Sequence, residues 1–288
     1  ERLPDRTGDA VSYLQPILSI QIYNLAFYST KTTRFSFPAA ALSVILSLHL
    51  GREDRLISVA TLSLFRFATP AARLWVIGQM ALARPRRLWS GAQFVKLCGS
   101  GTGEGFTPRP NWSVWAIFAV WPDLARAQEH IAQHKIIARW RARAAESWTV
   151  FLQPFSARGR WAGVNPMTDP AAPDADHGPI AALTRATVKP RHAPAFWARV
   201  PDISARIGAD TNVLFKIGIG EVPLLHQITF SIWPDAARMA EFARHMGPHA
   251  AAMQAARDNG WFAEEFYARC PWDPGPMERH RPSSRGPG

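Results

Sequence analysis

Two stretches of the chain alternate apolar and polar residues in the same way. Ser113-Val-Trp-Ala-Ile-Phe-Ala-Val-Trp121 and Leu225-His-Gln-Ile-Thr-Phe-Ser-Ile-Trp233 both read as strands. Each is followed by Pro and Asp (Pro122-Asp123 and Pro234-Asp235). Each then enters an Ala- and Arg-rich segment with apolar residues every three or four positions, the pattern of an amphipathic helix. Val95-Lys-Leu-Cys-Gly99 matches Phe215-Lys-Ile-Gly218, and Ala60-Thr-Leu-Ser-Leu64 matches Ala181-Ala-Leu-Thr-Arg185. The predicted strands are 57–67, 93–98, 113–121 and 148–155, then 179–188, 212–219, 225–233 and 261–269. The predicted helices are 70–83, 124–145, 192–207 and 236–257.

The order within each copy, βαββαβ, is that of the ferredoxin-like unit, which gives an antiparallel sheet with two helices on one face. The expected fold is therefore α+β: tandem ferredoxin-like repeats pairing their sheets into a fused dimeric α+β barrel. The first repeat is placed at 56–160, a linker at 161–178 and the second repeat at 179–271. Residues 272–288 read as a disordered tail, and 1–55 as an N-terminal extension. That extension is taken either as non-native sequence from a gene start placed too far upstream or as a peripheral membrane-contacting segment. Its apolar runs, broken by Pro16 and Pro38, are too short to span a bilayer. Asp123 and Asp235 read as helix N-caps, which makes the Trp-Pro-Asp repeat structural before it is chemical.

Composition narrows the function classes. Hydrophobic residues make up 47% and charged residues 19%, a globular balance. Two cysteines, Cys98 and Cys270, build neither a disulfide scaffold nor a four-thiolate metal site. The net charge is +11, with 28 Arg and 5 Lys, yet the basic residues form no block and no nucleic-acid motif is present. No nucleic-acid partner is expected. An anionic membrane surface remains open.

Four features could carry chemistry. Gly99-Ser-Gly-Thr-Gly-Glu-Gly105 lacks the Gly-Lys-Ser/Thr ending of a phosphate loop and precedes a strand, so it reads as a glycine-permitted connection that could also approach a flat ligand. His130 and His134, and likewise His245 and His249, stand four residues apart on matching helices. They could ligate a metal, supply one axial imidazole to a haem, or serve as surface and capping residues. Lys96 and Lys216 read as matching strand positions. Facing inward they would need an anion, either a haem propionate or a nearby Asp or Glu. His226 opens a strand and could face either core or pocket.

Several long strings resemble the spheroidene monooxygenase family, the carotenoid 2-ketolases of purple photosynthetic bacteria. They are Leu62-Ser-Leu-Phe-Arg-Phe67, Arg73-Leu-Trp-Val-Ile-Gly-Gln-Met80, Gly99 through Trp112, Pro179 through Lys189, Phe215 through Pro223 and His226 through Asp235. The resemblance spans about 57–270. It implies oxygenation at C-2 of acyclic methoxylated carotenoids (spheroidene to spheroidenone, spirilloxanthin to its 2-keto forms). It also implies dioxygen, a reduced ferredoxin-type donor and a haem cofactor. On that basis His249 is expected as the iron ligand and His245 as second choice, with Lys216 as a cofactor contact and Arg185 and His226 as catalytic polar groups. The implied location is cytoplasmic, peripheral at the inner photosynthetic membrane. The rival expectations are another haem enzyme of this fold (a peroxidase, a dehydratase or a haem-degrading enzyme), a non-enzymatic haem or hydrophobic-ligand binder, and an interaction protein.

Overall fold

The computed structural model describes residues 22–23, 58–83, 86–103, 105–167, 178–198, 213–245, 254, 256–272 and 277–278. The calls on the N-terminal extension, the C-terminal tail, residues 199–207 and most of 246–257 lie largely outside them.

In chain order the first half contains β1 (Val59–Arg66), α1 (Pro70–Leu82), β2 (Phe94–Gly101), β3 (Pro110–Trp121), α2 (Leu124–Gln133), α3 (Lys135–Arg143) and β4 (Glu146–Leu152). A short strand, β5 (Ser156–Gly159), follows. The second half contains β6 (Ile180–Val188), a helical segment at 190–198, β7 (Phe215–Gly220), β8 (His226–Trp233), α4 (Ala236–His245) and β9 (Phe262–Pro271). All nine strands join one antiparallel sheet in the order β4-β1-β3-β2-β7-β8-β6-β9-β5.

Period-2 alternation sorts the side chains of each strand onto two faces. On β1, Ala60, Leu62 and Leu64 enter one buried cluster with Cys98, Phe118, Trp148, Phe230 and Phe266. Phe65 faces the other way and packs with Val76, Ile137 and Trp140 beneath the helices. The first cluster draws on both halves because the sheet curls. Trp148 on β4 lies 4.9 Å from Phe215 on β7, centroid to centroid. In a flat sheet those strands would be four spacings of about 4.8 Å apart.

Side-chain caps set the helix starts. The Thr69 hydroxyl accepts the Ala72 N–H at 3.2 Å, with Pro70 at the first helical position. Asp123 and Asp235 each accept the N–H three residues on, both at 2.7 Å, so the Trp-Pro-Asp repeat caps helices as expected.

The predicted helix 124–145 is two helices. His134 is extended (φ −66°, ψ 120°), ending α2 and starting α3. Its imidazole stacks on Trp89 at 4.5 Å, and its Nε2 donates to the Leu88 carbonyl at 2.7 Å. The segment after β4 does more than connect: Ser156–Gly159 pairs with β9, and Trp161 is fully buried, stacked on Phe118 at 4.7 Å.

Candidate functional site

The halves meet where β2 pairs with β7, Gly99 opposite Gly220 and Ser100 opposite Ile219. The glycine-rich connection folds across this seam. Gly105 (φ +90°) lies so close to β7 that a Cβ there would stand 2.0 Å from the Gly218 carbonyl oxygen. These glycines serve backbone-to-backbone packing.

Beside the seam lies a cleft of about 380 Å³, within the usual range for small-molecule sites. Its walls are Ile77, Met80, Trp115, Trp197, Val222 and Leu224, together with the glycine connection. Among its described lining residues just two are ionisable, Glu221 and His226.

Those two lead into a buried charge cluster. On β6, Ala181, Leu183 and Arg185 share the inward face, and Arg185 is only 3% exposed. Its NH1 donates to Glu264 Oε2 at 2.9 Å, and its NH2 lies 3.6 Å from Glu221 Oε1. Lys96 reaches across the seam to Glu221 Oε2 at 2.9 Å, and Trp161 Nε1 donates to Glu221 Oε1 at 2.6 Å. The backbone N–H groups of Ala162 and Gly163 bind the Glu264 carboxylate at 3.0 and 2.7 Å. Two cations and two carboxylates therefore balance around the buried Arg185, with Lys96 and Glu264 part-buried. Burial works against the Glu264 charge, but the Gly163 and Ala162 N–H groups and the Arg185 guanidinium outweigh it and hold this carboxyl below the usual range.

His226 Nδ1 sits 3.5 Å from Arg185 NH2 and 3.5 Å from Glu221 Oε1. Burial pushes the imidazole down, and Arg185 and Lys96 add to this against the opposing pull of Glu221. The neutral ring accepts from Arg185 at Nδ1; a protonated ring donates to Glu221 from the same atom. The arrangement can take up and release one proton at the inner end of an apolar cleft.

The structure thus brings Arg185 and His226 together, and Lys96 with them. Lys216 it does not. Lys96 pairs with Phe118 and Ile217 with Phe230, at equivalent places in the two halves, so the strand partner of Lys96 in the second half is Ile217. The expected match of Lys96 with Lys216 is off by one residue, which reverses the face. Lys216 stands opposite Ser231, on the side where Phe242 of α4 packs on Trp233 at 5.0 Å. His245 ends α4, and His249 lies outside the described residues. His130 bonds the Ser90 carbonyl at 2.5 Å, so it and His134 pin the 86–90 turn to the helices. Among the described residues no group of three or more His, Cys, Asp or Glu could hold a metal ion. Glu221, Glu264 and Trp161 were not singled out by sequence. The signal for Glu221 was an inward-facing Lys96 that needed an anion.

The fold and this site define an α+β protein with a curled antiparallel sheet and a buried charge cluster opening on an apolar cleft. By fold it is similar to the crystal structure of aldoxime dehydratase, with a TM-score of 0.52 at 11% identity, covering 75% of this chain and 82% of that one. No protein-family model matches the chain. It is 58% identical over 178 residues to spheroidene monooxygenase of Rhodobacter capsulatus, covering 62% of this chain and 74% of the relative. To the protein of the same name from Cereibacter sphaeroides it is 57% identical over 179 residues, spanning 55% of that relative's length. To that of Rubrivivax gelatinosus it is 35% identical, over 68% of its length. The chain belongs to the spheroidene monooxygenase family.

Proposed function

We propose that the chain is a carotenoid monooxygenase that places a keto group at C-2 of acyclic methoxylated carotenoids, housed in tandem ferredoxin-like repeats whose joined sheets make a fused barrel. Two hydroxylations at one carbon, with loss of water from the gem-diol, give the ketone. Dioxygen and a reduced ferredoxin-type donor supply the oxidant and the electrons. The observation that carries this reading is the apolar cleft whose only ionisable described lining, Glu221 and His226, leads to Arg185. A long polyene would leave its apolar body against the tryptophans and present one end to the polar cluster.

The protein's own groups have definable tasks here. Trp115, Trp197 and Met80 exclude water and align the chain. His226, kept neutral by burial, accepts a proton at Nδ1, and Glu221 steadies the charged ring. Arg185, fixed by Glu264, holds that imidazole in place.

The proposed cofactor is haem, with the iron on His249 and His245 as second choice. The described imidazoles do not by themselves furnish the ligand. His130 and His134 are bound to carbonyls, His192 accepts from Arg191 Nε at 3.0 Å, and His226 belongs to the charge cluster. Lys216, on the face that α4 covers, is the proposed propionate contact. Haem would supply the oxidising power.

Expression in spheroidene-making cells under oxygen, followed by pigment extraction, tests the reaction. New ketocarotenoid is expected, and its absence with soluble, folded protein would sink the proposal. Soret spectra of His249→Ala and His245→Ala test the ligand; unchanged haem binding in both removes that assignment.

A further inference from the structure

Helix α1 carries apolar residues on its outer side as well as its inner one. Its sequence, Pro70-Ala-Ala-Arg-Leu-Trp-Val-Ile-Gly-Gln-Met-Ala-Leu82, contains one charged residue, Arg73, and no acid. Val76 points into the core. Ala71, Leu74, Ile77 and Ala81 face outward at three- and four-residue spacing, with Leu82 beside them; Leu74 is 73% and Leu82 64% exposed. A helix of a water-facing surface puts charged residues at such positions.

This stripe continues into the cleft. Ile77, Met80 and Ala81 form part of the cleft wall, and across its mouth stand Trp112 (52% exposed), Val222 and Leu224, also exposed. Arginines border the surface on both sides. Exposed Arg109 follows Pro108 of the cleft wall. On the far side, Arg139 NH1 donates to Gln79 at 3.3 Å, and the Arg143 guanidinium lies over the Trp75 ring at 4.5 Å. The cleft's one described acid, Glu221, is already paired with Lys96.

We propose that the outer face of α1, with Trp112 and Leu224 at the cleft mouth, is a docking surface for a lipid bilayer with anionic headgroups. The apolar stripe enters the headgroup–acyl boundary, the tryptophan sits at that boundary, and the flanking arginines meet the headgroup charge. Charge decides against a second copy as the occupant: each chain carries +11, and arginines flanking one stripe would face those of the other. Membrane contact by lying on the surface also agrees with the described helices, none of which is long and apolar enough to cross. The inference extends the proposed function, since it states where a lipid-dissolved substrate would enter, but it can fail separately.

The test is co-sedimentation of the full chain with phosphatidylcholine vesicles, with and without phosphatidylglycerol, at low salt. The wild type is expected to bind the anionic vesicles. L74E/L82E, whose residues lie outside the cleft wall, is expected to lose partitioning by at least about tenfold. R139Q/R143Q should weaken binding to anionic vesicles alone. L214E, exposed at the end of β7 remote from Gly220, should bind as the wild type does. Matched circular dichroism shows each variant to be folded. The docking surface is overturned by an unbound wild type, by L74E/L82E binding undiminished, by L214E losing as much as L74E/L82E, or by a wild-type dimer that L74E/L82E dissolves without any vesicle binding. Ketone formation from detergent-dispersed carotenoid separates the two readings. Turnover without vesicle binding removes only the docking surface; vesicle binding without turnover removes only the reaction.

Discussion

The two halves of the sheet share one strand order and differ in what they bury. Strand pairing gives the equivalences. Leu64 stands opposite Ala116 and Trp148; Arg185 stands opposite Ile228 and Phe266. Where the first half has Leu64 and Val114, the second has Arg185 and His226. Around Leu64 the first half's interior is thus apolar. The second half's interior holds a guanidinium paired with Glu221 and Glu264, and Lys96 from across the seam offsets the second carboxylate. Dry packing of Leu64 is the cheaper solution, so the charge cluster at the matching site, beside the cleft, comes at a cost in stability.

Moving the charge to the wrong half should have the largest effect. Leu64→Arg places a cation among Leu62, Phe118 and Trp148, where no acid is found among the described residues of that cluster. It is expected to abolish the cooperative unfolding transition seen by calorimetry. Arg185→Leu, which copies the first half into the second, leaves two carboxylates without their shared cation. A loss of about 3–5 kcal/mol in denaturant unfolding is expected. A loss below about 1 kcal/mol would mean that the two interiors are interchangeable. Asp123→Ala and Asp235→Ala probe what the halves share. Because both caps have the same geometry, each should cost about 1 kcal/mol, and to a similar extent.

Acid should weaken the charge cluster of the second half. The folded-state pKa values of His226 and Glu264 are both depressed. Each therefore contributes stability that is present above its unfolded pKa and lost as pH falls through the folded value. For His226 the loss begins below about pH 6.5, and for Glu264 below about pH 4.5. Melting temperatures measured from pH 7.5 to 5 should fall less steeply in His226→Gln than in the wild type. His134, depressed by burial, adds a loss of the same sign in the first half.

Much of the α+β order was legible because it rests on local signals. Alternation placed the strands within a few residues, and the two Trp-Pro-Asp turns fixed two helix starts. The failures share a long-range cause. The break at His134 follows from stacking on Trp89, forty-five positions earlier, and the ladder between β5 and β9 joins segments more than a hundred residues apart. The lysine comparison slipped because Val95-Lys96 and Phe215-Lys216 look alike as strings, while the register that sets their faces belongs to the partner strands. Arg185 and His226 were reached through the family resemblance, with His226 also standing out as a polar residue opening a strand. Glu221 in a turn and Glu264 on the last strand could not, because only folding brings them to that guanidinium.

The most direct test of the second half as the seat of the chemistry is ketocarotenoid yield in spheroidene-making cells expressing wild type or His226→Gln at matched protein levels. The expected result is new ketocarotenoid with the wild type and at least about a tenfold loss with the variant, at unchanged melting temperature at pH 7.5. A His226→Gln protein as productive as the wild type would contradict it.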